Sequence, residues 1–307
     1  MSDRKEHHGP FHNSAYEAEY CDLRAKAHAT SRDTQGDAEI YLSALKNQQE
    51  TYSPLDHHGE HVVVLDVGTG TGRVLVNLAN DADTHDLPLT NVEFIGVDKE
   101  PAMIHRAVVA QRETQSMLQL SRIDWLVGEA LHLTSAELLE NRINQVDLLL
   151  FAGGSVSHLI GPDEPLGFFA QAAALLRPRS GRFYLAVRDD LISTRSITRH
   201  MEHFEPSVEV HDRRDFPSQL YEGVVYRELS MGQSEVDGSI KTDRYRLQVV
   251  KQADTGGEAI IEDHLMNIVL RMWKESELLE WFKKAGLECV ETLHASHETY
   301  YVLKQAG

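Results

Sequence analysis

The stretch from Val62 to Val74, reading Val-Val-Val-Leu-Asp-Val-Gly-Thr-Gly-Thr-Gly-Arg-Val, limits this chain more than any other. A β-branched and apolar run, Val62 to Val67, carries a single acid at Asp66. Glycines follow at 68, 70 and 72, and then Val74, Leu75, Leu78 and Ala79 stand at helical spacing. A continuous apolar run of this length is what a strand buried on both faces shows, as in a parallel sheet. Glycine lets the backbone turn tightly and come close to a ligand, and the helix that follows offers free N–H groups at its start. The stretch therefore predicts a strand, a glycine loop and a helix around a nucleotide-like ligand, with Asp66, Gly68, Thr69, Gly70 and Gly72 as candidate contacts.

The same unit recurs down the chain. Strand-like runs begin near residues 62, 92, 123, 146 and 182, a spacing of about 30 residues that suits βαβ units. The second run closes on Asp98, and Pro101 follows in the first turn of a helix, where its missing N–H costs little. A carboxylate has two oxygens that match a vicinal diol, so Asp98 is a candidate ribose ligand, with Lys99 and Met103 beside it. The bland reading of Asp98 is an acid favoured by the helix dipole. The third run, Ile123 to Val127, leads to Gly128-Glu129-Ala130-Leu131, and Thr134 with Glu137 predicts a capping box before a further helix. The fourth, Val146 to Phe151, runs into Ala152-Gly153-Gly154-Ser155-Val156-Ser157-His158-Leu159. Small residues there leave room for a ligand at the C-terminal end of a strand, where open α/β sheets bind. Pro162 to Arg177 reads as a helix and Arg182 to Val187 as a fifth strand.

Bulk properties narrow the partners. A hydrophobic content of 41% and charged content of 25% are ordinary for a globular protein. No run approaches the length of a membrane helix, and the polar start, residues 1–11, has no apolar signal core, so a cytoplasmic protein without a membrane partner is expected. The two cysteines, Cys21 and Cys289, suit a reducing compartment. A formal charge of −18 with no segregated basic face repels a phosphate backbone, so nucleic acid is not the expected partner. The pairs His200/His203 and His294/His297 lack a third ligand at sensible spacing, and no metal is expected.

Outside the repeating core, 1–61 reads as a tail, two helices (13–24 and 37–46) and a linker from 47. Tyr16 and Tyr20, four apart, share one side of the first helix. Residues 193–270 change character to short alternating runs separated by turn signals at Asp237-Gly238 and Thr255-Gly256-Gly257, an antiparallel β insertion. Tyr221, Arg244, Tyr245 and His264 on it are candidate substrate contacts, against the reading that they are structural. Residues 271–307 predict a helix, Glu275 to Lys284, stopped at Gly286, and two strands that complete the sheet.

Gly68-x-Gly70-x-Gly72 departs from the dinucleotide fingerprint, whose third glycine place is filled here by Arg73. Together with Asp98, Glu129-Ala130, Gly154-Ser155-x-x-His158-Leu159 and the ending Arg271-x-Trp273 through Ala285-Gly286-Leu287, it resembles the motifs of class I S-adenosylmethionine (SAM)-dependent methyltransferases acting on small molecules. More narrowly, the whole-chain arrangement looks like the fungal gliotoxin-type N-methyltransferases of dioxopiperazine amides. The resemblance covers 62–192 and 271–304. It implies a Rossmann-like α/β fold, a seven-stranded sheet with helices on both faces, an N-terminal helical cap and the β insertion over the acceptor. It also implies SAM as cofactor, S-adenosylhomocysteine as product and a small-molecule acceptor methylated on N or O, in a monomer or homodimer.

By that likeness the glycine loop with Asp66 and Thr69 wraps the methionine part, Asp98 takes the ribose, and Glu129, Ala130 and Leu131 meet the adenine. Ala152 and Gly153 line the cofactor, and Tyr20 covers it unless, like Tyr16, it only packs its helix. Glu129 stands where Asp is usual, which shifts weight to the backbone of Ala130. Tyr16, Ser155 and Arg188 are candidates for the acceptor side, with Arg188 and Asp189 either facing the cleft or forming an ion pair. His158 is the candidate base, since an imidazole titrates near neutrality, against a structural bond at a helix start. A SAM-fold binding protein or non-methylating cyclase would keep the same loop, and a nicotinamide dehydrogenase is a third reading.

Overall fold

The computed structural model describes residues 14–30, 35–51, 61–135, 137–193, 213–252, 256–295 and 297–307. The expected tail at 1–11, most of the linker and the pair His200/His203 lie outside them. The chain divides into two compact units, one of residues 1–30 and 196–272, the other of 31–195 and 273–307.

The larger unit is built on β1 (Val62–Val67), β2 (Val92–Asp98), β3 (Arg122–Val127), β4 (Leu148–Phe151) and β5 (Arg182–Arg188), all parallel to one another. β12 (Leu287–Ala295) and β13 (Glu298–Gln305) add an antiparallel hairpin, giving seven strands in the order β12-β13-β5-β4-β1-β2-β3. The Val62–Val67 run is buried throughout, as its unbroken apolar character requires. α2 (Gln35–Thr51) and α3 (Arg73–Thr84) cover one face, where Tyr41, Leu45, Leu75 and Leu78 join Val62, Val64, Leu148, Leu150, Tyr184 and Tyr300 in one core. α2 runs on through Thr51, so the expected linker from 47 begins later. On the other face, rings from α5 (Glu164–Leu175) and α6 (Glu275–Lys284) meet the sheet: Phe168 touches Phe151 and Phe183, and Phe282 touches Tyr301. α4 (Pro101–Glu113) starts on the expected proline, and Gly286 (φ +78) closes α6 with its N–H on the Lys283 carbonyl, 3.1 Å away.

Two local features hold the strand ends. The fully buried Asp147 receives the backbone N–H of Val63 at 2.9 Å and Arg177 Nε at 2.6 Å. Beyond β5, β6 (Ile192–Ser193) pairs with β11 (Trp273–Lys274), where the chain re-enters this unit.

The helix expected after Thr134 does not form. Among the described residues between β3 and β4 there are short 3-10 turns, at Ala130–His132 and Glu140–Arg142. Thr134 does not cap: its N–H and hydroxyl both donate to Gln171 Oε1 on α5, each at 2.8 Å. Leu133 and Leu139 reach the core from turns, with the Leu139 N–H on the Leu133 carbonyl.

The smaller unit contains α1 (Glu17–Thr30) and a four-stranded antiparallel sheet of β7 (Arg213–Pro217), β8 (Val224–Asp237), β9 (Ile240–Gln252) and β10 (Glu258–Arg271), in the order β10-β9-β8-β7. Gly238 (φ +59) turns the β8–β9 hairpin, as the Asp-Gly signal predicts. The helical cap expected over 1–61 is shared between the units: α1 belongs with this sheet and α2 with the larger one. Its core is Tyr20, Phe216, Val224, Tyr226, Leu247, Val249 and Met266.

Candidate functional site

The C-terminal ends of β1 and β2 are joined through the glycine loop. Gly68, Gly70 and Gly72 have φ of +64°, +57° and +82°, conformations that side chains rarely adopt. The Thr69 N–H reaches the Val97 carbonyl at 3.0 Å and the Gly72 N–H folds back on the Thr69 carbonyl at 3.0 Å. Asp98 completes the link: one carboxylate oxygen accepts the Gly70 N–H at 2.8 Å and the other the Glu100 N–H at 2.9 Å. The remaining lone pairs of this half-buried carboxylate are its free acceptor capacity. Lys99, beside it, is exposed, and Met103 is half-buried in the first turn of α4.

The three glycines do different things. A methyl group at Gly70 would meet nothing within 4 Å, and the same is true at Gly153 past β4, so the backbone at both points borders open space. At Gly72 it would stand 2.7 Å from the Trp125 ring and 3.1 Å from Ala107. Gly72 is buried, and the absence of a side chain there lets α3 pack on β3 and α4. Gly68 is tight against the Phe151 ring, at 3.4 Å.

Asp66 is 1% exposed, and burial pushes its carboxyl up to about 7. The Thr69 hydroxyl, donating to it at 2.7 Å, and the charge of Arg73 oppose that rise, while Asp98 adds to it. Asp66 thus acts on its surroundings through Thr69 from beneath the loop.

Around β3 and β4, Glu129 is exposed, 3.4 Å from His132 Nδ1, so its carboxylate lies on the surface beside a turn that starts at Ala130. Leu131 is half-buried and its carbonyl accepts Gln171 Nε2 at 2.7 Å. The Ala152 carbonyl takes both the N–H and the hydroxyl of Ser155, at 3.1 and 2.8 Å, so the Ser155 proton is already engaged. His158 is exposed at the end of the 3-10 turn Ser155–His158. That turn is held from behind by the Trp273 indole, which donates to the buried Ser157 hydroxyl at 2.9 Å. Arg188 forms its ion pair with Asp190, at 3.0 and 2.7 Å, while Asp189 accepts the Thr299 hydroxyl. Arg188 also lies over Gly154, where an added methyl would sit 2.9 Å from its chain.

The candidates on α1 and the insertion are tied within their own unit. Tyr20, expected over the cofactor, is 2% exposed, with its hydroxyl on Glu228 and 3.2 Å from that of Tyr245. Burial raises the phenol pKa of both Tyr20 and Tyr245 well beyond the usual range for the first and upward for the second. Tyr20 is therefore a core residue in this structure. Tyr16 stacks edge-on against Tyr221, with centroids 4.8 Å apart, and the Tyr221 hydroxyl reaches the Ala15 carbonyl at 3.2 Å. Arg244 is held by Glu235 at 2.8 and 3.0 Å, and His264 Nε2 stands 2.9 Å from Glu262. Glu19, which no motif singles out, accepts from Ser218, Gln219, Leu220 and Tyr226 and fastens α1 to the sheet. Among the described residues no group of three or more His, Cys, Asp or Glu is placed to hold a metal ion. No helix among them is long and apolar enough to cross a membrane.

A mostly parallel α/β sheet with a glycine loop, an acid closing the second strand and a small-residue strand end at one edge is the arrangement with which open α/β sheets bind nucleotide-like ligands. Comparison with known proteins agrees. Residues 58–307 match the model of the methyltransferase domain family. The N-methyltransferase FrzE of Cladobotryum sp. is 29% identical over 299 residues, covering 97% of each chain. Among solved structures, a SAM-dependent methyltransferase of Clostridium acetobutylicum superposes with a TM-score of 0.61 at 14% identity, over 96% of this chain and 100% of that one. The sugar N-methyltransferase KedS8 of Streptoalloteichus sp. gives 0.59 at 16%, over 100% and 97%. The chain belongs to the methyltransferase domain family. It is a SAM-dependent methyltransferase of the small-molecule type. The residues present fit the cofactor, since the backbone at Gly70 and Gly153 borders open space and Asp98 keeps acceptor capacity next to it.

Proposed function

We propose that this chain methylates a nitrogen atom of a compact secondary-metabolite acceptor, with a dioxopiperazine amide as the acceptor to test first. The observation that carries this reading is the end-to-end likeness to an N-methyltransferase, 29% identical over 97% of both chains. The geometry supports the following roles. Gly68, Thr69 and Gly70 shape the loop around the methionine part, and Asp98 receives the ribose hydroxyls. The backbone at Ala130 and Leu131 meets the adenine, while Ala152 and Gly153 line the space between.

Bound SAM supplies a methyl group on a positively charged sulfur, already activated for displacement. The protein's share is alignment of the acceptor and exclusion of water. An amide nitrogen must also lose its proton, and the exposed imidazole of His158, on the turn that the Trp273–Ser157 bond holds, takes that proton. Ser155 shapes the pocket wall, because its hydroxyl is spent on Ala152. The test is incubation with methyl-labelled SAM and three acceptors: a dioxopiperazine with free amide N–H groups, its N,N-dimethyl form, and a phenol. Label on the amide nitrogen of the first alone is expected. Label on the phenol oxygen, or none on the free amide while S-adenosylhomocysteine still binds, rejects the reading.

A further inference from the structure

A second group of polar residues stands at the same edge of the sheet, and no sequence motif marks it. Register places Ala186 opposite Tyr300 and Arg188 opposite Glu298, so the start of β13 lies at the C-terminal end of β5. The Tyr300 hydroxyl donates to Glu298 Oε2 at 2.8 Å. From α2, Asp37 pairs with Arg73 at 3.2 Å, and Tyr41 packs edge-on against Tyr300 and Tyr184, with centroids 6.0 and 6.4 Å apart. Asp66, at the end of β1, completes the group. Burial first, and then the charges of Tyr300, Glu298, Asp37 and Asp66, raise the pKa of the Tyr41 phenol, whose ring lies against that of Tyr300, the hydrogen-bond partner of Glu298.

Acids gather at many sheet edges; the Tyr41 hydroxyl is what distinguishes this one. Tyr41 is 2% exposed, and its hydroxyl has no hydrogen-bond partner among the described residues. A buried hydroxyl left unpaired is costly and calls for a partner, which a bound group at this edge would supply. The charges say which kind. Asp37 pairs with Arg73, Glu298 stands within reach of both, and Asp66 is charged only in part near neutrality; Arg188 also acts on Glu298 but is held by Asp190 in a two-pronged pair. Burial raises the Glu298 carboxyl, and a cation arriving beside it offsets that cost by favouring the charged form.

We propose that Glu298, Asp37 and the Tyr41 hydroxyl form a subsite for a primary ammonium group, the α-ammonium of the methionine arm of SAM. This rests on the cofactor lying at the glycine loop as set out above. The ammonium donates to the Glu298 and Asp37 carboxylates and to the Tyr41 oxygen, while Asp66 adds charge from below. Specificity for the complete cofactor over nucleosides that lack the amino-acid head would then come from α2 and β13, outside the glycine motif.

The experiment is calorimetry with S-adenosylhomocysteine and with 5′-methylthioadenosine, which has no amino-acid head, on the full chain and on Glu298→Gln, Tyr41→Phe and Asp98→Ala. The expected result is a loss of about tenfold or more in S-adenosylhomocysteine affinity for Glu298→Gln, with 5′-methylthioadenosine bound within about twofold of the unaltered protein, since one charge-assisted contact is removed. Asp98→Ala should lower both affinities alike. Tyr41→Phe keeps the ring, so it folds; it should leave thermal stability equal or higher while weakening S-adenosylhomocysteine, a split that a structural role would not produce. Unchanged S-adenosylhomocysteine binding in both Glu298→Gln and Tyr41→Phe overturns the subsite, and a rise only in acceptor KM would do the same by assigning the ammonium to the acceptor. Failure of the unaltered protein to bind either nucleoside overturns the cofactor placement, and the subsite with it.

Discussion

Asp66 makes the sharpest pH prediction. Its carboxyl is buried beneath the glycine loop, and burial raises it from the ordinary 3.8 to about 7, against the pull of the Thr69 hydrogen bond and Arg73. The folded protein therefore holds this proton more tightly than the unfolded chain does. The stability that the neutral carboxyl confers is complete below about pH 4 and is lost as pH rises to about 7, after which the loss levels off. Each pH unit in that window changes the folding constant by a factor of ten, so the whole interval amounts to roughly a thousandfold, about 4 kcal/mol. Asp66→Asn keeps the shape and removes the titration. The assay is denaturant unfolding of the separately purified proteins at pH 5, 6, 7 and 8, followed by tryptophan fluorescence, since Trp125 lies against Gly72 in this unit. The gap between Asp66→Asn and the unaltered chain should move in favour of the variant by about 2 kcal/mol from pH 5 to pH 7 and by only a few tenths more to pH 8. A gap constant across the series would mean that Asp66 is not desolvated as this structure places it, and the account of the loop would fail with it.

Further outcomes follow from single contacts. Asp98→Ala removes the acceptor of the Gly70 N–H as well as the proposed ribose ligand, and calorimetry should show S-adenosylhomocysteine affinity falling about tenfold or more. Gly70→Ala and Gly72→Ala should part company: the first enters open space and costs about 1–2 kcal/mol of backbone strain, whereas the second drives a methyl into Trp125 and costs about 1–3 kcal/mol more, read as the difference in Tm. Asp147→Ala strands the Val63 N–H and Arg177 and should cost about 3–5 kcal/mol, with a matching fall in the unfolding midpoint. His158→Ala should leave S-adenosylhomocysteine binding intact and lower kcat by about a hundredfold if it takes the acceptor proton; full turnover would remove it from the reaction.

How much of this could be read from the chain depended on how local each signal was. The unbroken run at Val62–Val67, the closing acid Asp98 and the Asp237-Gly238 turn each carry their cause within a few residues, and the structure has the strands and hairpin there. The helix after Thr134 failed to form because a tertiary partner won: Gln171 took both Thr134 donors, and the turns satisfied the buried leucines. The Tyr16/Tyr20 spacing was ambiguous between lining a ligand and filling a core, and the partners that place Tyr20 in a core, Glu228 and Tyr245, come more than two hundred residues later. Asp37, Tyr41 and Glu298 carry no motif, because only the antiparallel return of β13 beside β5 brings residues so far apart to one edge. A hint was present: an acid opening an otherwise buried strand is costly unless something at that end requires it.

The glycine loop itself carries the last step of the argument. Sequence alone separated SAM from a dinucleotide by the absence of a glycine at position 73, but the structure shows that close helix packing, the job of that third glycine, is done at Gly72 against Trp125. Spacing therefore separates the two ligands less than it promised. Hydrogen bonding separates them better. A diphosphate at such a loop needs free backbone N–H groups, and here three are spent: Thr69 on the Val97 carbonyl, Gly72 on the Thr69 carbonyl, and Gly70 on the Asp98 carboxylate. The same carboxylate, with Asp66 beneath it, would repel an anion at that point. A loop with one N–H donor on its own acid and two on backbone carbonyls suits the neutral ribose and positive sulfur proposed for it better than a diphosphate, in keeping with the methyltransferase family.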